Sequence, residues 1–188
     1  MAIKLDMSKA YDWVEWGFVE AVIQRLGFAE EWIRLVMMCL STVSYSILLN
    51  GVQSGNFTVS KGIRQGDPLS PYIFLLCAEG LSSLLKEFER ERKITGIAAS
   101  RGGPRLTHLF FADDSILFCQ VSSENCRALC EILQVYEEAS SQQLNRSKTF
   151  LFFTKKYLCS DKAIYQKSVP CSWDQKSWKI SWFALIYW

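Results

Sequence analysis

The sequence predicts an α+β domain, with helices packed on one face of a largely antiparallel sheet. Two observations carry that assignment. Apolar runs of strand length and amphipathic stretches of helical period follow one another in the order strand, helices, hairpin, helix, hairpin, helix, strand. Turn-forming residues, rather than long linkers, separate the strand-like runs, and no internal repeat or low-complexity segment interrupts them.

Ile3 to Leu5 reads as a buried strand ending at Asp6. Asp12 and Glu15 have the spacing of a capping box, and Val14, Phe18, Val22 and Leu26 recur every four residues, which predicts a helix ending near Gly27. A second helix is expected from about Glu30 to Leu40, with Trp32, Ile33, Val36, Met37 and Leu40 on one face. Val43, Tyr45, Ile47 and Leu49 alternate, Asn50-Gly51 marks a turn, and Phe57 and Val59 alternate again, as in a hairpin. Ser70-Pro71 has the form of an N-cap followed by an N1 proline and opens a helix reaching about Phe88, with Phe74, Cys77, Leu81, Leu84 and Phe88 apolar. Leu106–Phe110 and Ser115–Cys119 flank a short turn. A helix from about Glu124 to Ala139 carries Leu129, Ile132, Leu133 and Tyr136, and an apolar strand follows at Phe150–Phe153. Beyond Lys156 the pattern changes: Trp173, Trp178, Trp182 and Trp188 show neither helical nor strand period, and residues 156–188 are expected to stand outside the fold.

The chain of 188 residues fits one domain, large enough to bury about 70% of its unfolded surface. With 49% hydrophobic residues, global disorder is excluded. A net charge of +2 is too small to mark a nucleic-acid binder by itself. Seven cysteines without a CxxC pair suit a reduced, intracellular protein of the cytoplasm or nucleus better than a disulfide framework. Cys126 and Cys130 have metal-capable spacing, but no second pair accompanies them. No stretch approaches the roughly 20 apolar residues of a membrane span, and no targeting signal is seen. The chain opens directly in a strand-like run, as expected of an entry partway through a larger protein.

The chemistry centres on Phe111-Ala112-Asp113-Asp114. Adjacent aspartates in a hairpin turn usually mean only a solvated turn. Their mutual repulsion is also what a bound divalent cation would offset. Asp6, at the end of a strand far upstream, supplies a third carboxylate. Three hard-oxygen donors at one sheet edge suit Mg²⁺, and two such ions serve an in-line phosphoryl displacement.

Four blocks now fall in order: Lys4-Leu5-Asp6-Met7-Ser8-Lys9-Ala10-Tyr11-Asp12, Gly62-Ile63-Arg64-Gln65-Gly66-Asp67-Pro68-Leu69-Ser70-Pro71, Phe111-Ala112-Asp113-Asp114 and Leu144-Asn145-Arg146-Ser147-Lys148-Thr149. In these the chain resembles reverse transcriptases of non-LTR (LINE-type) retrotransposons, plant-like ones in particular. The resemblance covers residues 1–155 and implies a polymerase palm with a partial fingers region. It implies that Asp6, Asp113 and Asp114 are catalytic and ligate Mg²⁺ (or Mn²⁺). It also implies that Tyr11 is the bulky gate under the nucleotide sugar, that Gln65 and Gly66 let backbone approach template and nucleotide, and that Lys148 steadies the leaving pyrophosphate. The partners implied are an RNA template, a DNA primer and deoxynucleotide triphosphates. Read without the resemblance, Tyr11 is a core aromatic, Lys148 a surface lysine and His108 a structural histidine. Asp67 and Pro68 serve either that block or simply the shape of the loop.

The chain departs from the pattern in places. Ser140-Ser141-Gln142 stands where the family usually has Ser-Gly-Gln, and Trp13 where arginine is common. Cys171–Trp188 resembles no family segment, as a frameshift or mis-joined exon would produce. Most of the fingers, the thumb and any endonuclease domain are expected to lie elsewhere, so the chain alone is expected to be inactive or extremely weak. A non-catalytic relic or nucleic-acid-binding module and a maturase-like palm protein remain as alternative readings.

Overall fold

The computed structural model describes residues 1–111 and 114–152, and the backbone of 179–180. In chain order the elements are β1 (Ala2–Leu5), β2 (Met7–Ser8), α1 (Trp16–Arg25), α2 (Glu30–Ser41), β3 (Ser44–Tyr45), β4 (Leu48–Leu49), β5 (Val52–Gln53), β6 (Phe57–Thr58) and α3 (Ser70–Arg90). There follow β7 (Ile97–Ala98), β8 (Arg105–Leu106), β9 (His108–Phe111), β10 (Asp114–Phe118), α4 (Ser123–Ser140), β11 (Gln143–Leu144), β12 (Phe150–Phe152) and β13 (Lys179–Ile180).

A five-stranded sheet in the order β13-β12-β1-β10-β9 forms the base of the domain. β1 pairs antiparallel with both β10 and β12, and β9 extends the sheet antiparallel to β10. Only β13 runs parallel to its neighbour. Those two residues are the described part of the 156–188 stretch that the sequence set apart; the tryptophans of that stretch lie outside the described residues.

Alternation along β1 and β10 assigns the two sheet faces. Ile3, Leu5, Ser115 and Leu117 are buried, while Lys4 and Ile116 are half-buried on the opposite face. The buried face meets α3 and α4 in a core containing Leu81, Leu85, Leu129, Ile132 and Leu133. A second core joins α1, α2 and the start of α3 through Val19, Ile23, Ile33, Val36, Ile63 and Ile73. Met7 and Phe18 touch both. The architecture is the expected α+β one, with helices against one face of a largely antiparallel sheet.

Local chemistry explains where element boundaries and faces differ from expectation. The Asp12–Glu15 capping box does not form. Residues 9–12 make a turn instead, with the Asp12 amide donating to the Lys9 carbonyl, and the Glu15 carboxylate reaches Lys61 at 3.7 Å. Leu26 is exposed as the C-cap residue beyond the end of α1, which buries Val19 and Ile23 within the helix. Nor does Ser70 cap α3. The Asp67 carboxylate accepts from the Leu69 amide at 2.8 Å, and Ser70 is buried within the helix. The loop-shaping reading of Asp67 is thereby met. Elsewhere the local signals hold. Asn50 and Gly51 both take positive φ, 51° and 82°, as a two-residue type I′ turn between β4 and β5 demands. Ser122 caps α4 by accepting from the Asn125 amide.

Candidate active site

β1 runs to Leu5, which pairs with Ser115. Continuing that register by one residue brings Asp6 level with Asp114, the first residue of β10. Both then fall on the face carrying Lys4 and Ile116, away from the helices. Asp6 is half-buried and Asp114 exposed. The Lys4 ammonium lies 2.9 Å from the Asp114 carboxylate, with both side chains roughly half accessible. Asp113 lies outside the described residues, next to the paired strand ends Phe111 and Asp114.

The other flank of Asp6 is irregular. Gln143 and Leu144 pair with Ser8 and Met7, while Phe150, Leu151 and Phe152 pair with Lys4, Ile3 and Ala2. Residues 145–149 therefore stand opposite only Leu5 and Asp6, a bulge of the kind that re-aims side chains beside active sites. Asn145 organises it. Its amide donates to the Asp6 carbonyl (2.8 Å), its side-chain oxygen accepts from Ser147 (2.7 Å), and its carbonyl accepts from the Lys148 amide (3.0 Å) and the Thr149 hydroxyl (2.9 Å). Lys148 is exposed within this bulge.

Five residues beyond Asp6, past a turn in which Lys9 takes a φ of 47°, the Tyr11 ring stacks on Phe74 of α3. Their centroids are 4.9 Å apart and their planes within 9°. The loop bearing Gln65 and Gly66 docks on the segment just after Tyr11. The Ile63 amide donates to the Tyr11 carbonyl and the Gly62 amide to the Val14 carbonyl, each at 2.8 Å. Gly62 is required for that approach: at its φ of 87° a Cβ would sit 2.8 Å from the Asp12 carbonyl oxygen. Trp16 reinforces the dock through Nε1 to the Gly62 carbonyl at 2.8 Å, and the Lys61 ammonium lies 4.3 Å over the Trp13 ring. Gln65 and Gly66 are exposed at the loop tip.

The structure thus brings Asp6, Asp114 and Lys148 to one end of the central strands. Tyr11 and the Gln65 loop are tied to the chain segment that leaves the same strand end. Three residues of this region stand inside quoted motifs without having been given a role: Lys4, Asn145 and Gln142. Lys4 was findable, since it sits two residues before Asp6 and so shares its face of the strand.

The remaining candidates are structural. The His108 ring bonds Thr107 Oγ1 at 2.9 Å and Ser82 Oγ at 3.1 Å, and burial followed by the Lys86 charge lowers its pKa from 6.5. Burial pushes the Cys126 thiol up to about 12 and Cys130 up to about 11, which disfavours the thiolates a zinc site needs. No helix among the described residues is long and apolar enough to cross a membrane.

As metal donors, Asp6 and Asp114 are of the right type, hard anionic oxygens in a partly solvated setting. The Lys4 ammonium against Asp114 shows that one of these carboxylates already recruits positive charge.

Residues 1–181 match the family described as reverse transcriptase (RNA-dependent DNA polymerase). An uncharacterized mitochondrial protein of Arabidopsis thaliana is 48% identical over 68 residues, 36% of this chain and 56% of that protein. The Transposon TX1 uncharacterized 149 kDa protein of Xenopus laevis is 27% identical over 78% of this chain and 11% of its own length. A retrovirus-related Pol polyprotein from the type-1 retrotransposable element R2 of Popillia japonica is 31% identical over 61% of this chain and 16% of its own. The chain thus spans little more than half of the first of these relatives and a small part of the others. Among solved structures, telomerase from Candida tropicalis in complex with a fragment of telomeric RNA superposes with a TM-score of 0.60 at 14% identity, over 79% of this chain and 25% of that one. That likeness concerns the fold alone. The chain belongs to the reverse transcriptase (RNA-dependent DNA polymerase) family.

Proposed function

We propose that residues 1–155 form the palm, with part of the fingers, of an RNA-directed DNA polymerase that copies a retrotransposon. The observation that carries the proposal is the β1–β10 register, which puts Asp6 level with Asp114 on the sheet face left free by the helices. Asp6, Asp113 and Asp114 would hold two divalent ions, Mg²⁺ or Mn²⁺. When bound, such ions supply positive charge to the attacking 3′ hydroxyl and to the leaving oxygen of an in-line displacement.

The chain's own residues orient the reactants. Lys148 is assigned to the leaving pyrophosphate, because the bulge around Asn145 presents it opposite Asp6. Tyr11 is assigned to the sugar of the incoming deoxynucleotide, its ring held flat on Phe74 where a 2′ hydroxyl would collide with it. Gln65 and Gly66, exposed at the tip of a loop anchored beside Tyr11, are assigned to template and nucleotide. The partners are an RNA template, a DNA primer and deoxynucleotide triphosphates.

The test is primer extension on an RNA template with Mn²⁺ at high protein concentration, paired with direct Mn²⁺ binding followed by electron paramagnetic resonance. Extension is expected to be weak, because catalysis depends on positioning to about an ångström and a palm with part of the fingers grips a primer-template on few sides. Both signals are expected to fall in Asp6→Asn and Asp113→Asn. Mn²⁺ binding unaffected by either substitution would remove the metal site, and RNA binding without any metal dependence would favour a non-catalytic binding module.

A further inference from the structure

Gln142 is 1% exposed, and both ends of its side-chain amide are engaged. Its Nε2 donates to the Ala10 carbonyl at 2.6 Å, and its Oε1 accepts from the Tyr136 hydroxyl, also at 2.6 Å. The orientation is dictated by chemistry. A carbonyl oxygen only accepts, so the amide NH₂ must face Ala10, and the amide oxygen is left to take the phenol proton. Tyr136 is itself 3% exposed, and burial raises its pKa, so it stays protonated as a donor.

The base of this arm is equally fixed. The Gln142 amide donates to Ser140 Oγ (3.1 Å), Ser140 Oγ donates to the Tyr136 carbonyl (2.7 Å), and the Ser140 carbonyl accepts from the Glu15 amide (3.1 Å). The C-terminal end of α4 thus grips the chain on both sides of Tyr11, at Ala10 and at Glu15.

The consequence for Tyr11 is direct. The carbonyl of Ala10 belongs to the same planar peptide group as the Tyr11 amide, so a bond that fixes one fixes the other. The next peptide group is fixed through the Tyr11 carbonyl by Ile63. With both flanking peptide planes held, the direction in which the side chain leaves the backbone is set, and the ring lands on Phe74.

We propose that Gln142 is a positioning residue that sets the placement of the Tyr11 ring and, through it, the discrimination between deoxy- and ribonucleotides. Its functional half rests on the polymerase reading given above; its structural half does not.

Two substitutions separate the possibilities. Gln142→Glu keeps the shape but turns the donor facing Ala10 into an acceptor. Tyr136→Phe removes the hydroxyl that donates to Oε1 and lies 3.5 Å from the Cys77 carbonyl, and leaves the Gln142 amide in place. Proteins labelled with 3-fluorotyrosine are compared by ¹⁹F NMR, with the Tyr11 signal assigned by its loss in Tyr11→Phe. Extension with each nucleotide class is measured on the same proteins. Gln142→Glu is expected to move the Tyr11 resonance and to lower deoxynucleotide preference by about tenfold or more, without loss of Mn²⁺ binding. Tyr136→Phe is expected to show a smaller change in the same direction, and it decides the question if Gln142→Glu does not fold. An unmoved Tyr11 resonance with only a lowered unfolding midpoint would overturn the proposal. If the wild-type chain extends no primer, the resonance alone decides the positioning claim. A displaced Tyr11 signal with unchanged nucleotide preference would refute the functional half.

Discussion

Ser141 follows α4 with φ 57° and ψ 4°, a left-handed cap conformation that a β-carbon disfavours by about 1–2 kcal/mol. Its hydroxyl makes no hydrogen bond among the described residues, so nothing in the side chain offsets this. Ser141→Gly removes the strain but adds unfolded-state freedom, which costs about 0.5–1 kcal/mol. The balance is a gain of about 0.5–1 kcal/mol, or roughly 1–4 °C in Tm for a domain of this size. Thermal and urea unfolding followed by circular dichroism read it directly, with the slope against urea expected to stay constant. Gly62→Ala is the internal control. It has a similarly positive φ, but the added Cβ would meet the Asp12 carbonyl at 2.8 Å, so it is expected to destabilise by more than Ser141→Gly stabilises. A Ser141→Gly protein that unfolds at the same or a lower temperature would refute the reasoning, because it would show that the left-handed turn is not where strain resides.

The same argument applies to Lys9, at φ 47° without a described side-chain bond: Lys9→Gly is expected to raise the urea midpoint by a smaller margin, since the turn it occupies is exposed. Leu117, fully buried between β1 and the helices, is expected to cost about 2–5 kcal/mol when changed to alanine, measured by urea unfolding. His108 has a folded pKa below its ordinary 6.5, so the unfolded chain binds more protons in the window between the two values. Stability is therefore expected to fall as pH drops below about 6.5 and to level off below the folded value, and His108→Gln is expected to flatten that limb of a stability–pH curve. Lys4→Ala removes a partly solvated ion pair, so it is expected to change stability by less than about 1 kcal/mol while tightening Mn²⁺ binding at Asp114, read by paramagnetic resonance titration.

The fold was legible in the sequence wherever its cause was local. Asn50-Gly51 marks a turn because both residues tolerate positive φ. The carboxylate blocks were legible as motifs. What misled was local pattern overruled by distant partners. Glu15 looked like half of a capping box, but Lys61 draws its carboxylate away. Ser70 looked like a cap, but burial claimed the serine, and Asp67 closes the loop ahead of it onto the Leu69 amide. Leu26 looked like part of an apolar stripe, but the helix ends at Arg25 and leaves it exposed as the C-cap. Asn145 and Gln142 share the same obstacle. Each acquires its meaning from a residue far along the chain, and no periodicity records such a partner.

That obstacle bears on how the candidate site is built. Past Ser8 the chain has no regular structure until α1, yet the segment carries Tyr11 and leads directly from Asp6. Its backbone is held from outside instead. Asn145 bonds the Asp6 carbonyl, Gln142 the Ala10 carbonyl, Ile63 the Tyr11 carbonyl, Gly62 the Val14 carbonyl, and the Ser140 carbonyl receives the Glu15 amide. Four of these five bonds are backbone to backbone, and all five come from two distant segments, 62–63 and 140–145. An irregular stretch pinned at five points has few alternative positions, which is the condition a nucleotide-holding site must meet. A substitution at Gly62 or Gln142 is therefore expected to disturb the placement of Tyr11 by releasing the segment, while the carboxylates keep their metal.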